Sequence, residues 1–145
     1  MAAAAWRLYA KAKEYIGDGT ITLGIGGFKM ALFKGSSNAS TITLSTLASV
    51  TVQASGGAYV AGGKYLAPSA GTWTLAGSTV TFDYTTLGIT FTASGSNISA
   101  VQYAVIHDSA GKLLCWSKLS ASAFSVADPN TLTILPAATG VFTLT

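Results

Sequence analysis

Side chains that can transfer protons, attack carbonyl groups or bind metals are few in this chain. It has one histidine, one cysteine and five carboxylates among 145 residues. His107 and Asp108 are adjacent at the end of an apolar run, so on a strand they point to opposite faces and form no proton relay with each other. A hydrolytic site would require the fold to bring a distant carboxylate to His107. The inventory therefore favours a non-enzymatic protein, with His107 at a strand end or in a turn.

Cysteine and carboxylate spacing excludes several kinds of site. Cys115 is the lone cysteine, which excludes an internal disulfide and a cysteine-rich zinc site. Within an apolar strand it is expected to pack as a small hydrophobic side chain. Asp83 and Asp128 have no second carboxylate within a few residues, so neither a glycosidase pair nor a calcium loop is indicated. We expect no catalytic residue, metal, cofactor or small-molecule substrate.

Charge is unusually scarce. Charged residues make up 9% of the chain, against about 25% in ordinary soluble domains, and hydrophobic residues make up 50%. The net charge of +3 is too small for a nucleic-acid footprint, and no run approaches the ~20 apolar residues of a membrane-spanning helix. The first residues do not resemble a secretory signal, so synthesis and use from a cytoplasm are expected. Little charge means little repulsion between copies, which indicates a surface partly covered in an assembly.

The densest apolar run, 98–119, predicts a β-hairpin. Its outgoing arm carries apolar residues on both faces, and the sequence Asp108-Ser109-Ala110-Gly111 has the chemistry of a turn. An antiparallel sheet commonly has one solvated face. A hairpin that is apolar on both faces therefore lies in the middle of a sandwich or gives its second face to a partner.

Alternating apolar residues continue along most of the chain. Strands are predicted over 20–33 with a glycine bend, over 42–54, and as a hairpin at 72–83. Further strands are predicted near 89–93, 124–126, 132–134 and 142–144, whereas the glycine-rich stretch 56–63 predicts an extended, partly exposed loop. Short strands with a turn every ~8–12 residues indicate one all-β domain over 18–145, a β-sandwich or jelly-roll-like barrel.

Residues 1–17 are predicted as an N-terminal helix in front of this domain. Alanines favour helix formation over 2–16, and Trp6, Tyr9, Ala10 and Ile16 fall near one stripe. Arg7, Lys11 and Glu14 mark the other side. Two interpretations remain open, because the stripe could pack on its own sandwich or dock onto a neighbouring subunit.

Five blocks, taken in order, carry a resemblance to a known family. They are 28–33 (FKMALF), 59–64 (YVAGGK), 73–74 with 78–83 (WT and STVTFD), 89–94 (ITFTAS) and 103–108 (YAVIHD). In this order they resemble small virion structural proteins of tailed bacteriophages, a family that includes head cement and decoration proteins. His107 stands where the family more often has Tyr or Asn, and 64–71 is longer than the usual link.

This resemblance implies a β-sandwich that binds the outside of the phage head as a dimer or trimer and bridges major-capsid subunits. It implies no catalytic residues. The partners expected are therefore the major capsid protein and copies of the same chain, and the expected location is the virion, after synthesis in the bacterial cytoplasm. The residues expected to face these partners are Trp6, Arg7, Tyr9 and Lys11, with Tyr59 in the 56–63 loop. The alternative is a phage tail or fibre module that binds a host surface glycan through exposed aromatic residues such as Tyr59, Tyr65 and Tyr84.

Overall fold

The structure, a computed structural model, describes residues 4–24, 27–66, 72–84, 88–136 and 140–144. Within these ranges the protein has eleven β-strands and one α-helix. The predicted all-β sandwich with one helix is confirmed. The elements are β1 (Arg7–Leu8), α1 (Ala10–Gly17), β2 (Lys29–Lys34), β3 (Lys64–Tyr65), β4 (Thr72–Ala76), β5 (Thr79–Asp83), β6 (Ile89–Thr92), β7 (Ile98–His107), β8 (Leu113–Lys118), β9 (Phe124–Val126), β10 (Thr131–Ile134) and β11 (Phe142–Leu144).

The predicted hairpin at 98–119 forms the centre of the largest sheet. That sheet has six strands in the order β1-β8-β7-β2-β3, with β9 also paired to β7, and its pairs are antiparallel. The turn closes as the sequence indicates. The Asp108 N–H donates to the Lys112 carbonyl at 3.0 Å, the Gly111 N–H donates to the Asp108 carbonyl at 3.0 Å, and Gly111 has a φ of +83°.

Both faces of this hairpin are buried within the chain along most of its length. On one face, Met30 of β2 lies beside Ile106, which lies beside Cys115. On the other, Ala31 lies beside Val105, which lies beside Trp116. All six side chains are buried. Of the two arrangements that the sequence left open, the hairpin takes the one in the middle of the sheet, although Lys118 is exposed and Tyr103 is half-buried on the second face.

The prediction of a helix over 2–16 is wrong for its first half. Residues 1–3 lie outside the described residues, 4–6 are irregular, and Arg7–Leu8 form β1 at the edge of β8, with Arg7 opposite Trp116. The Tyr9 N–H then donates to the Leu114 carbonyl at 3.1 Å. Hydrogen bonding to a sheet edge thus overrides the helix propensity of the alanines, and α1 begins at Ala10. Strand β1, which lies in the predicted N-terminal segment 1–17, belongs to the main sheet of the predicted domain 18–145.

Two predicted strands are absent from the described residues. In 20–24, which the alternating pattern assigned to a strand, the Asp18 carboxylate accepts from the Thr20 N–H at 2.8 Å and the Ile21 N–H donates to the Tyr15 carbonyl at 2.8 Å. These local bonds close the end of α1 instead of extending a sheet. The stretch 42–54 contains a 3-10 turn at Leu47–Ser49 and isolated bridges such as Phe33 to Gln53.

Two smaller sheets pack onto the main sheet through aromatic residues. The predicted hairpin at 72–83 is confirmed as β4 and β5, which form a three-stranded sheet with β11, whereas β6 pairs with β10. Ring contacts join these sheets to the rest of the core. The rings in contact are Phe28 and Phe82 at 5.5 Å, Trp6 and Tyr84 at 6.4 Å, and Tyr59 and Phe91 at 6.0 Å between centroids.

Candidate interaction surfaces

The His107 ring lies between two main-chain oxygens. Its Nδ1 is 2.7 Å from the Asp108 carbonyl oxygen and its Nε2 is 3.0 Å from the Gly62 carbonyl oxygen, and the side chain is only 3% exposed. The Asp108 carboxylate accepts from the Lys112 N–H at 2.7 Å instead. No carboxylate occupies either ring position, so the geometry does not assemble the hydrolytic pair that the sequence left open. His107 ties the β7–β8 turn to the 56–63 loop.

Metal and thiol chemistry have little support in the described part of the chain. No group of three or more His, Cys, Asp or Glu side chains within those ranges could hold a metal ion. Cys115 is fully buried, and burial raises the pKa of its thiol well above the ordinary value. The thiol therefore packs as the small hydrophobic group that the sequence predicts.

Two of the residues predicted to face a partner belong to the core. Trp6 is 7% exposed and its ring meets the edge of Tyr84, and Tyr9 is 0% exposed. The Tyr9 hydroxyl donates to the Ala39 carbonyl at 2.6 Å, and desolvation raises its pKa. The sequence predicted that Trp6 and Tyr9 face a partner, whereas contacts with Tyr84 and with the Ala39 carbonyl hold these two side chains within the domain.

Lys11 and Tyr59, also predicted to face a partner, have partners within the chain. Lys11 is half-exposed, and its ammonium group contacts the Glu14 carboxylate at 2.6 Å. Tyr59 is half-buried, and its hydroxyl accepts from the Leu32 N–H at 2.8 Å. Burial raises the pKa of Tyr59 to about 12. Tyr59 thus anchors the 56–63 loop to β2, whereas Arg7, the fifth of these residues, remains exposed.

Arg7 belongs to a cationic aromatic surface, which we define as Arg7, Tyr103, Trp116 and Lys118. The strand register places these four side chains on one face of the main sheet, with Arg7 opposite Trp116 and Tyr103 opposite Lys118. The Arg7 guanidinium lies 5.6 Å from the centre of the Trp116 ring, and the Tyr103 and Trp116 rings meet edge to face at 6.2 Å. Arg7 and Lys118 are exposed, and in the described ranges only Lys11 and Glu14 form a salt bridge. Both cations are available to an acidic partner.

A second surface is an apolar row on the β4-β5-β11 sheet. Cross-strand pairing aligns Leu75 with Val80 and Val80 with Leu144, beside an inner row of aromatic side chains that packs into the core. Leu75 is 67% exposed and Leu144 is 38% exposed. The apolar face of this small sheet therefore continues beyond the part that the domain covers.

A third feature is a cavity of about 290 Å³ beside the 56–63 loop. The rings of Tyr59 and Phe91 line it, together with Thr90, Thr92 and Lys64. The Lys64 ammonium donates to the Thr90 carbonyl at 3.0 Å. The cavity offers aromatic rings, hydroxyl groups and one cation to a small polar ligand, at the lower end of the usual size for ligand sites.

Comparisons with known proteins do not assign the chain to a family. No family model, curated protein or solved structure matches it. The resemblance to tailed-phage virion proteins therefore stays a prediction from the five ordered sequence blocks. Within the described ranges, no helix is long and apolar enough to cross a membrane.

The structure adds surface residues that the sequence did not single out. Trp116 and Lys118 alternate on the return arm of the central hairpin, a spacing that places them on one face, but their position beside Arg7 depends on the β1 pairing. Leu75 belongs to a predicted half-buried strand, and the pattern does not show that its end projects past the core. In both cases the position depends on contacts between residues far apart in the sequence, which a local sequence pattern does not contain.

Proposed function

We propose that this protein is a non-enzymatic virion structural protein, a cement or decoration protein that binds the assembled phage head and bridges major-capsid subunits. The order of the five sequence blocks supports this assignment. The structural observation that carries it is the cationic aromatic surface, because its two exposed cations and two aromatic rings are mounted on a well-buried sheet. Such a surface suits a fixed acidic partner.

The chemistry of this surface matches that of protein interfaces. Aromatic and Arg side chains are enriched among the residues that contribute most to binding, and Trp and Arg are rigid or planar anchors. Arg7 stacks near Trp116 before any partner binds, so part of its side-chain entropy is already lost. Acidic side chains or carbonyl groups of capsid subunits are the proposed contacts.

The proposed mechanism is mass action. A protein that binds only the assembled shell stabilises that shell by its binding free energy, and each bridge between subunits opposes their separation. The same proposal gives the protein copies of itself as further partners, a location on the head and synthesis in the host cytoplasm. It requires no cofactor and no catalytic step.

Co-sedimentation with purified heads that lack the protein tests this function. The wild type is expected to saturate a fixed number of sites, and the double variant Arg7→Glu with Lys118→Glu is expected to bind at least ~10-fold more weakly, because both contacts become repulsive. The control is Lys13→Glu, which reverses an exposed charge on α1 outside the surface. Circular dichroism checks that each variant folds.

Two outcomes would overturn the proposal. Wild-type protein that does not bind heads contradicts the function itself. Equal binding by the double variant and the wild type contradicts the surface assignment. Raising the salt concentration should weaken wild-type binding and should not weaken the residual binding of the double variant, because salt screens its repulsive contacts.

The cavity beside Tyr59 favours one second candidate, a tail or fibre module that binds a host surface glycan. Aromatic rings stack on sugar faces, and the hydroxyl groups of Thr90 and Thr92 can bond sugar hydroxyls. Titration of the isolated protein with host surface polysaccharide tests it. Thr92→Trp, which fills the cavity mouth, should abolish saccharide binding, whereas Thr143→Trp on another sheet should not. Saccharide binding without head binding would replace the cement proposal.

A further inference from the structure

We infer that two copies of the chain pair through the free edge of β4, so that two three-stranded sheets join into one continuous six-stranded sheet. Strand β4 is the outer strand in the order β11-β5-β4, and no described strand pairs with its second edge. Its five residues, Thr-Trp-Thr-Leu-Ala, include no charge and no proline, and its pairing with β5 has no register shift. Charged residues, prolines and bulges are features that usually prevent edge strands from pairing, and β4 has none of these three.

The backbone groups on this edge follow from the β4–β5 turn. Ala76 pairs with Thr79 across the two residues Gly77 and Ser78, and the φ of +62° at Gly77 fits a type II′ turn. The residues that flank such a two-residue turn form a hydrogen-bonded pair, and pairs alternate along an antiparallel ladder. Residues 72, 74 and 76 therefore bond β5, which leaves the N–H and C=O groups of Trp73 and Leu75 pointing away from it.

These outward groups are self-complementary. A two-fold axis through Thr74 places Trp73 of one copy opposite Leu75 of the other, and each of these pairs exchanges two N–H···O bonds. The axis thus generates four hydrogen bonds from the groups that β5 leaves free. The two Thr74 residues face each other as a non-hydrogen-bonded pair, with Cα atoms about 4.5 Å apart.

The side chains and the lack of charge on β4 favour a second copy of the chain as its partner. In the same register the exposed Leu75 lies against Trp73 of the second copy, which covers the most exposed part of the apolar row. A two-fold contact brings each group near its own copy, so a charged strand would repel itself, and β4 carries no charge. The other edge strands are shorter: β1 and β3 have two residues each, β11 at the opposite edge of the same sheet has three, and β6 and β10 have four each.

This inference rests on the part of the proposed function that gives the protein copies of itself as partners, and it is independent of the shell. It specifies the strand, the symmetry and the register of the contact. The cationic aromatic surface lies on another sheet, so a dimer formed in this way contains two such surfaces.

Disulfide trapping tests the register. Thr74→Cys should give a disulfide-linked dimer on mild oxidation, because the proposed separation at the axis lies within the range that a disulfide spans. The control is Thr143→Cys, which places an exposed cysteine on the opposite edge strand of the same sheet. The native Cys115 is buried and should not react. Non-reducing electrophoresis should show a dimer for the first variant and a monomer for the second.

A charge at the edge gives a second test that does not depend on oxidation. Leu75→Lys should weaken dimerisation at least ~10-fold in sedimentation equilibrium, whereas Leu144→Lys, at the other end of the same apolar row, should leave it within ~2-fold. A wild type that stays monomeric at millimolar concentration, a trimer, or equal trapping of both cysteine variants overturns the inference. Dimers without head binding would contradict the shell function alone, and head binding by a strict monomer would contradict this inference alone.

Discussion

The central hairpin of β7 and β8 and the outer hairpin of β4 and β5 have similar local structure but opposite surroundings. Each pairs antiparallel across a tight turn that contains a glycine with positive φ. The central hairpin has a strand on each side, and most of its side chains are buried on both faces. The outer hairpin has a neighbour only beside β5, and its end carries Leu75 in solvent.

The difference shows what a local pattern encodes. Apolar residues on both faces, as in 98–119, mark a strand pair that must be enclosed, and the domain encloses it with its own chain. Threonine on alternate positions, as in 72–83, indicates a strand pair with one buried face. That pattern does not indicate how far along the strands the rest of the domain covers this face. Interaction surfaces on this domain are therefore expected where a strand extends beyond the buried core, and not at the most apolar segments.

The largest expected effect contrasts two tryptophans, one beside the main sheet and one on the outer hairpin. Trp6 directly precedes β1 and is almost fully buried, whereas Trp73 on β4 is half-buried. Trp6→Ala should lower the free energy of unfolding by about 3–5 kcal/mol, the usual cost of deleting a buried aromatic side chain. Trp73→Ala should cost less. Urea titrations measure both, and equal losses would show that the outer hairpin is as fully enclosed as the central one.

Two leucines extend the comparison to smaller side chains. Leu114 on β8 is fully buried and Leu75 on β4 is the most exposed leucine in the described ranges. Leu114→Ala should cost about 2–5 kcal/mol, whereas Leu75→Ala should change the stability of the monomer by no more than about 0.5 kcal/mol. Measurements at low protein concentration keep association out of the result. A large loss for Leu75→Ala in a monomer would contradict the exposure of the outer hairpin.

Alkaline pH tests the contact between Trp6, which precedes β1, and Tyr84, which follows the outer hairpin. Tyr84 follows β5 and contacts Trp6, and burial raises the pKa of its hydroxyl above the ordinary value of 10.0. Because the folded pKa exceeds the unfolded one, the stability from this group is complete below pH 10 and is lost as the pH rises through the folded pKa. Between the unfolded and the folded pKa the contribution falls by about 1.4 kcal/mol per pH unit.

The matched variant is Tyr84→Phe, which keeps the ring and removes the titrating group. Urea midpoints measured from pH 8 to 11 should fall less steeply for this variant than for the wild type. Identical pH dependence of the two proteins would indicate that the Tyr84 hydroxyl is hydrated in the folded protein.

The smallest expected effect concerns the link between β3 of the main sheet and β6. The exposed Lys64 ammonium donates to the Thr90 carbonyl. Lys64→Met keeps most of the aliphatic stem and removes this bond, at a cost of about 0.5 kcal/mol. Thermal unfolding can detect such a change. A loss several times larger would show that the small sheets depend on polar links as much as on their aromatic contacts.

The sequence predicted the local elements well and the long-range partners poorly. The two hairpins, their turns and the later strands follow from alternation and turn residues, which are short-range properties. The helix over 2–16 failed because the competing partner of Arg7–Leu8 is a sheet edge more than 100 residues away. The strand over 20–24 failed because Asp18 and Tyr15 bond the backbone there. Of the predicted interface residues, Trp6 and Tyr9 are buried for the same long-range reason, and only Arg7 lies on the cationic aromatic surface.

The pairing of β1 with β8 also constrains how the protein is made. The N-terminal strand leaves the ribosome long before 113–118 exists, and β2 waits in the same way for its partner β7. A nascent chain therefore holds β1 and β2 without their partners, and the main sheet forms only late in synthesis or after it. Refolding should be slow for a domain of this size, and chaperone demand during translation should be highest before the 98–118 segment emerges.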